Sequence, residues 1–92
     1  MKKILTTNGM STSERHNSIH SPKNKYRVEI CFDEPSNNLG SFVSFTASDI
    51  ETCQKLAAMQ SRGKKTSIRI YENRDKYPAF DWVPVNQYRL ND

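Results

Sequence analysis

Phe45 to Gly63 is the stretch that most narrows the fold, because it carries helical periodicity together with a start and a stop signal. Ser48 is placed as the N-cap, and Glu51, three residues later, completes a capping box in which hydroxyl and carboxylate each satisfy a first-turn amide. Asp49 and Glu51 put negative charge where the helix dipole favours it. Arg62 falls in the last turn, and Gly63 can take the left-handed conformation that closes a helix. Between those ends Ile50, Cys53, Leu56 and Ala57 recur at three- and four-residue spacing, with Gln60 continuing the line, while Glu51, Lys55, Ala58 and Arg62 face away. One apolar stripe asks for one surface to cover, and the flanking sequence supplies strands.

Upstream, Lys25-Tyr-Arg-Val-Glu-Ile-Cys-Phe-Asp33 alternates Tyr26, Val28, Ile30 and Phe32 with Arg27, Glu29, Cys31 and Asp33, the period of a half-buried strand. Glu34-Pro-Ser-Asn-Asn-Leu-Gly40 is a dense turn signal. It leads into Ser41–Thr46, where Val43 and Phe45 point inward and Phe42 and Ser44 outward, so the two runs predict an antiparallel hairpin. After the helix, Lys64–Glu72 is a third strand with Ile68 and Ile70 inward and Ser67, Arg69 and Tyr71 outward. A helical crossover sets that strand beside the first, in the order 2-1-3. Asn73 to Ala79 is a loop, Phe80–Val85 a short fourth strand that Pro84 confines to an edge, and Gln87–Asp92 an exposed tail or a loose cap. The expected fold is α+β, ββαβ(β), with a three- to four-stranded antiparallel sheet and one helix on one face.

The chain has 92 residues, which allow a single domain. Residues 1–23 are rich in Ser, Thr, Asn, Lys and His, bury little, and are expected to be a disordered polar tail, leaving 24–92 as the domain. His16 and His20 within that tail would share a helical face as a metal pair, but no third ligand is in reach, and solvated histidines are the simpler reading. Met1-Lys-Lys-Ile-Leu-Thr-Thr-Asn8 begins as a signal peptide does, yet no apolar segment follows, and no run is long enough to span a bilayer; a cytoplasmic protein is expected. Cys31 and Cys53 fall on opposite faces of the sheet and read as two free thiols.

Function is less constrained. No phosphate loop, metal-ligand spacing or nucleophile elbow is present, so neither catalysis nor a cofactor is expected. Asp33 and Glu34 are adjacent carboxylates, but at a turn before proline acidic residues are common for local reasons. Net charge is +4, a mild basic excess compatible with a nucleic-acid or acidic-protein partner, or with solubility alone. The sheet face away from the helix would carry Arg27, Phe42, Arg69 and Tyr71, side chains able to stack on bases or fill a protein pocket. A second set, Arg62, Lys64 and Lys65 with Arg74 and Lys76, is expected at the helix end and the following loop. For Tyr77, Phe80, Trp82 and Tyr88, covering the core and an edge is the favoured role.

The chain as a whole resembles small phage-encoded anti-CRISPR proteins, in particular those directed against type I-F surveillance complexes. The stretches that carry the resemblance are Lys25-Tyr-Arg-Val-Glu-Ile-Cys-Phe-Asp-Glu-Pro35, Ser48-Asp-Ile-Glu-Thr-Cys-Gln-Lys-Leu-Ala-Ala-Met59 and Tyr77-Pro-Ala-Phe-Asp-Trp-Val-Pro84. The resemblance implies a non-enzymatic inhibitor in the host bacterial cell that docks on the assembled protein–crRNA complex and blocks target DNA binding or hybridisation. It assigns no site residue. The positive net charge suits contact with the guide RNA or with acidic protein surfaces better than wholesale mimicry of DNA. Two alternatives stand beside it: a small basic RNA- or DNA-binding regulator, and an antitoxin-like interaction module.

Overall fold

The computed structural model describes residues 19–36 and 40–92. Four strands, β1 (Tyr26–Ser36), β2 (Gly40–Ala47), β3 (Thr66–Asn73) and β4 (Trp82–Leu90), form one antiparallel sheet in the order β2-β1-β3-β4. The helix α1 (Ile50–Ser61) joins β2 to β3 and packs on one face, and residues 19 and 20 are also helical. The α+β fold expected from the periodicities is the fold observed.

The inward rows of β1 and β3 face each other residue by residue, with Val28 opposite Ile70 and Ile30 opposite Ile68. Those four side chains are fully buried, as are Cys53, Leu56 and Ala57 from the helix. Each large aliphatic side chain removed from water in this way contributes about 1.5–3 kcal/mol. Ser61, one helical turn past Ala57, is also buried, because its hydroxyl donates to the Ala58 carbonyl (3.0 Å) and accepts from Asn91 Nδ2 (3.2 Å).

The helix begins one residue later than the capping-box pattern suggests. Asp49, not Ser48, is the N-cap: its Oδ1 accepts from Thr52 N at 2.7 Å. The Ser48 hydroxyl donates to the other Asp49 oxygen. At the far end both Arg62 (φ 54°) and Gly63 (φ 76°) are left-handed, and Lys64 N returns to the Ser61 carbonyl at 2.9 Å.

Three boundaries differ from expectation. β1 runs on through Glu34-Pro35-Ser36, and Ser36 pairs with Gly40, so the hairpin connection is shorter than the turn composition suggested. β4 is longer than Phe80–Val85: Gln87–Leu90 are strand rather than tail, with Tyr88 and Leu90 packed on the core. Of the segment expected to be a tail, 1–18, including His16, lie outside the described residues. Residues 19–24 make defined contacts: Ile19 packs on the core, the His20 ring lies 5.4 Å from that of Phe45, and Asn24 Nδ2 donates to Thr46 Oγ1. No helix among the described residues is long and apolar enough to cross a membrane.

Candidate binding surfaces

The side chains expected to form a binding face are brought together on the sheet surface opposite α1, but three of the four, Arg27, Arg69 and Tyr71, are engaged in hydrogen bonds on that face. Arg27 Nε donates to Ser44 Oγ (3.1 Å), and its Nη2 lies 3.8 Å from Glu29 Oε2. Tyr71 donates its hydroxyl hydrogen to Glu29 Oε1 (3.0 Å), while Arg69 Nη1 donates to the Tyr71 oxygen (3.3 Å). That bond from Arg69, followed by the Coulombic pull of Tyr71, raises the guanidinium pKa further above its ordinary value. A continuous polar chain therefore crosses β2, β1 and β3. Phe42 stands apart from it, half exposed near the start of β2.

A second network on this face rests on Arg89, which the tail reading of 87–92 passed over. Its guanidinium makes paired bonds to Asp33, Nη1 to Oδ1 (3.1 Å) and Nη2 to Oδ2 (2.6 Å), while Nε holds both oxygens of Asp92. Nη1 also donates to Ser67 Oγ at 2.7 Å. Hydrogen bonds from Arg89 hold both carboxyls below the ordinary aspartate range. Arg89 thus ties β4 to β1 across β3, and of the adjacent carboxylates Asp33 and Glu34 it is Asp33 that this clamp engages.

The expected basic cluster is split. Arg62, Lys64 and Lys65 lie where α1 turns into β3, with Lys64 and Lys65 bordering a cavity of about 440 Å³ shared with Asp33 and Glu34. Arg74 and Lys76 lie past the opposite end of β3, and an eight-residue strand at about 3.3 Å per residue separates the two groups by roughly 25 Å. What joins Arg74 and Lys76 is instead Lys23 and Lys25, from the segment leading into β1.

Together they surround a concavity of about 650 Å³ where four cations meet two carboxylates, Glu72 and Asp75. Glu72 is already bonded to Arg74 (2.9 Å) and Lys25 (3.3 Å). Arg74, then Lys25, hold its carboxyl below the usual range. The excess of positive charge at this end falls on Lys23 and Lys76. No family model, curated protein or solved structure matches this chain.

Beside the concavity the β3–β4 loop displays aromatic rings. Tyr77 and Phe80 are 49% and 47% exposed, too open to serve as core cover. They meet edge to face at 6.3 Å between centroids, and Phe80 stacks on Trp82 at 5.7 Å with the planes 13° apart. Lys23 Nζ lies 5.8 Å from the Tyr77 ring centre, near enough for a cation–π contact. Of the four C-terminal aromatics, Tyr88 takes the expected role against the core.

Asn73 holds this loop in shape. Its side chain is buried; Oδ1 accepts from Asp75 N (3.0 Å) and Asp81 N (2.7 Å), and Nδ2 donates to the Ala79 carbonyl (3.2 Å). Arg74 N and the Asp81 carbonyl close the loop at 3.0 Å. The outcome is a preorganised end of the sheet with excess positive charge and flat apolar surface side by side.

The thiols divide as expected. Cys31 is exposed and Cys53 buried, both unpaired; burial pushes the Cys53 thiol up to about 12, which makes it unreactive at neutral pH. Among the described residues, no group of three or more His, Cys, Asp or Glu side chains is placed to hold a metal ion.

Proposed function

We propose that this chain is a non-catalytic inhibitor of a crRNA-guided surveillance complex of type I-F, the role implied by its resemblance to small anti-CRISPR proteins. On this reading it acts in the host bacterial cytoplasm, without a cofactor, by occupying surface that target DNA must reach. It docks through the end of the sheet that carries Lys23, Arg74 and Lys76 with Tyr77 and Phe80. The middle of the open face is a poorer docking surface, since Arg27 is already bonded to Ser44, Tyr71 to Glu29 and Arg69 to Tyr71.

The observation that carries the proposal is the pairing, at one preorganised end, of excess cations with the half-exposed rings of Tyr77 and Phe80, the latter stacked on Trp82. Rings and lysines side by side suit an anionic, partly apolar target: guide phosphates and splayed bases, or an acidic protein surface with a hydrophobic pocket. Co-elution with an assembled type I-F complex on gel filtration, with loss of the target-DNA mobility shift, is the expected result. The double variant K23E/K76E should abolish both. Unchanged binding by that variant would refute the assignment of the site, and no association of the unaltered chain would refute the inhibitor reading.

The same pairing of rings and lysines also favours the second reading, a regulator that binds single-stranded RNA or DNA directly. Salt separates the two. A nucleic-acid binder shifts free RNA or DNA, with affinity falling steeply as salt rises, whereas an inhibitor docked mainly through protein leaves free nucleic acid unshifted.

A further inference from the structure

The two edges of the sheet are built differently. β4 carries Pro84 and Arg89, and its register with β3 breaks between the pairs Ile70–Asn86 and Tyr71–Pro84. Proline, charge and a bulge are the devices by which edges are kept from pairing with another chain. β2 has none of the first two: Gly40-Ser-Phe-Val-Ser-Phe-Thr-Ala47 contains neither charge nor proline, and it pairs with β1 without a break from Phe42 to Ala47. Among the described residues its backbone bonds run to β1 alone.

The outer flank of β2 is not uniform. Near its end, His20 lies against Phe45, and Asn24 and the Ser21 carbonyl both bond Thr46 Oγ1. In the first half of the strand Phe42 is 50% exposed, on a face that is otherwise a polar network.

We propose that β2 pairs antiparallel with β2 of a second copy about a two-fold axis at Phe42, joining two four-stranded sheets into one. The occupant follows from charge and symmetry. Each chain carries +4, so two copies approach most easily where the contact is uncharged, and β2 is the one strand of the sheet without a charged residue. A two-fold axis at Phe42 sets each ring opposite its own copy, with Cβ atoms about 4.5–5.5 Å apart, and keeps both open faces on one side. The aromatic pair then covers the two rings that stand exposed in the single chain. The contact spans only the Gly40–Ser44 stretch, well below the area of a permanent dimer, so assembly is weak and depends on concentration.

Sedimentation equilibrium of the full chain from micromolar to millimolar concentration should show a reversible rise from monomer to dimer mass. F42K, which sets two like charges face to face on the axis, should remain monomeric throughout while keeping its circular dichroism and melting transition. Cross-linking fixes the register. In a C31S background, F42C places two thiols at disulfide distance and should form a covalent dimer on mild oxidation. S44C holds them roughly 13 Å apart, four residues at about 3.3 Å each, and should react at least ten times more slowly. A chain monomeric over the whole range, a dimer that survives F42K, or equal cross-linking by the two cysteine variants would each overturn the proposal. So would a monomer whose F42K variant loses the surveillance complex, because the edge would then belong to a partner's strand.

Discussion

Replacing Asn73 by alanine tests whether the basic, aromatic end is preorganised or merely adjacent in space. The Asn73 side chain makes three hydrogen bonds, two from backbone amides and one to a backbone carbonyl, and only 8% of the residue is exposed. A typical bond of this kind contributes about 1 kcal/mol net. Its partners Asp75, Ala79 and Asp81 are exposed, so water can take over part of what alanine removes, and the expected loss is about 2 kcal/mol rather than three. In a domain of this size that corresponds to a melting temperature lower by roughly 8–16 °C. N73D keeps both amide bonds but sets a carboxylate oxygen against the Ala79 carbonyl, so it should also destabilise while leaving the two amides bonded. Denaturant unfolding gives the free energies, and amide hydrogen exchange reads the loop itself: the Asp75 and Asp81 amides should lose protection in N73A and retain it in N73D. A cost for N73A below about 0.5 kcal/mol, or unchanged protection at those amides, would refute the hub role.

The remaining predictions concern the scaffold. Arg89 depresses the carboxyls of Asp33 and Asp92 in the folded state, so the stability they confer is present above the unfolded aspartate pKa of about 3.9 and is lost as pH falls through the lower folded values. The melting-temperature gap between the unaltered chain and R89M should therefore be constant near neutrality and close below about pH 4; a gap that persists unchanged at pH 2 would exclude the ion-pair account. Thr66 Oγ1 is buried with no hydrogen-bond partner among the described residues, so the near-isosteric T66V should stabilise the domain by about 1 kcal/mol on thermal unfolding; a net loss would reveal a hidden partner. D49A should cost about 1 kcal/mol and S48A under half of that, and the reverse order would restore Ser48 as the cap.

The legible parts of the fold were those where local pattern and tertiary demand agree. Val28, Ile30, Ile68 and Ile70 alternate cleanly because their strands have one dry face and one wet face, and the helical stripe of Cys53, Leu56 and Ala57 covers that dry face. β4 reads short from the sequence because its pattern is broken from within. The register break beside Pro84 shifts the alternation, and the polar Gln87 and Arg89 look like tail until Tyr88 and Leu90 are seen against the core. The helix start is ambiguous by one residue in the sequence because Ser48 and Asp49 are both good caps, and only the 2.7 Å bond to Thr52 N chooses between them.

The candidate site was less legible, since its parts are distant along the chain. Lys64 and Arg74 are ten residues apart in sequence, yet the strand between them sends them to opposite ends of the sheet. Lys23 and Lys25 reach Arg74 and Lys76 only because β1 starts where β3 stops, which the pairing of Tyr26 with Glu72 makes plain. The self-satisfied chain through Arg27, Glu29, Tyr71 and Arg69 depends on register across two strand boundaries, and no spacing within one segment announces it.

The closure made by Arg89 and Asn91 joins parts of the chain that are far apart in sequence. Asn91 Nδ2 bonds both Ser61 Oγ and the Lys64 carbonyl, and Arg89 grips Asp33, so residues 89–91 staple together the helix end, the start of β3 and the first strand. Until that stretch docks, β3 presents an unpaired edge and the core lacks Tyr88 and Leu90. Proteolytic trimming of residues 89–92 would therefore loosen three elements at once.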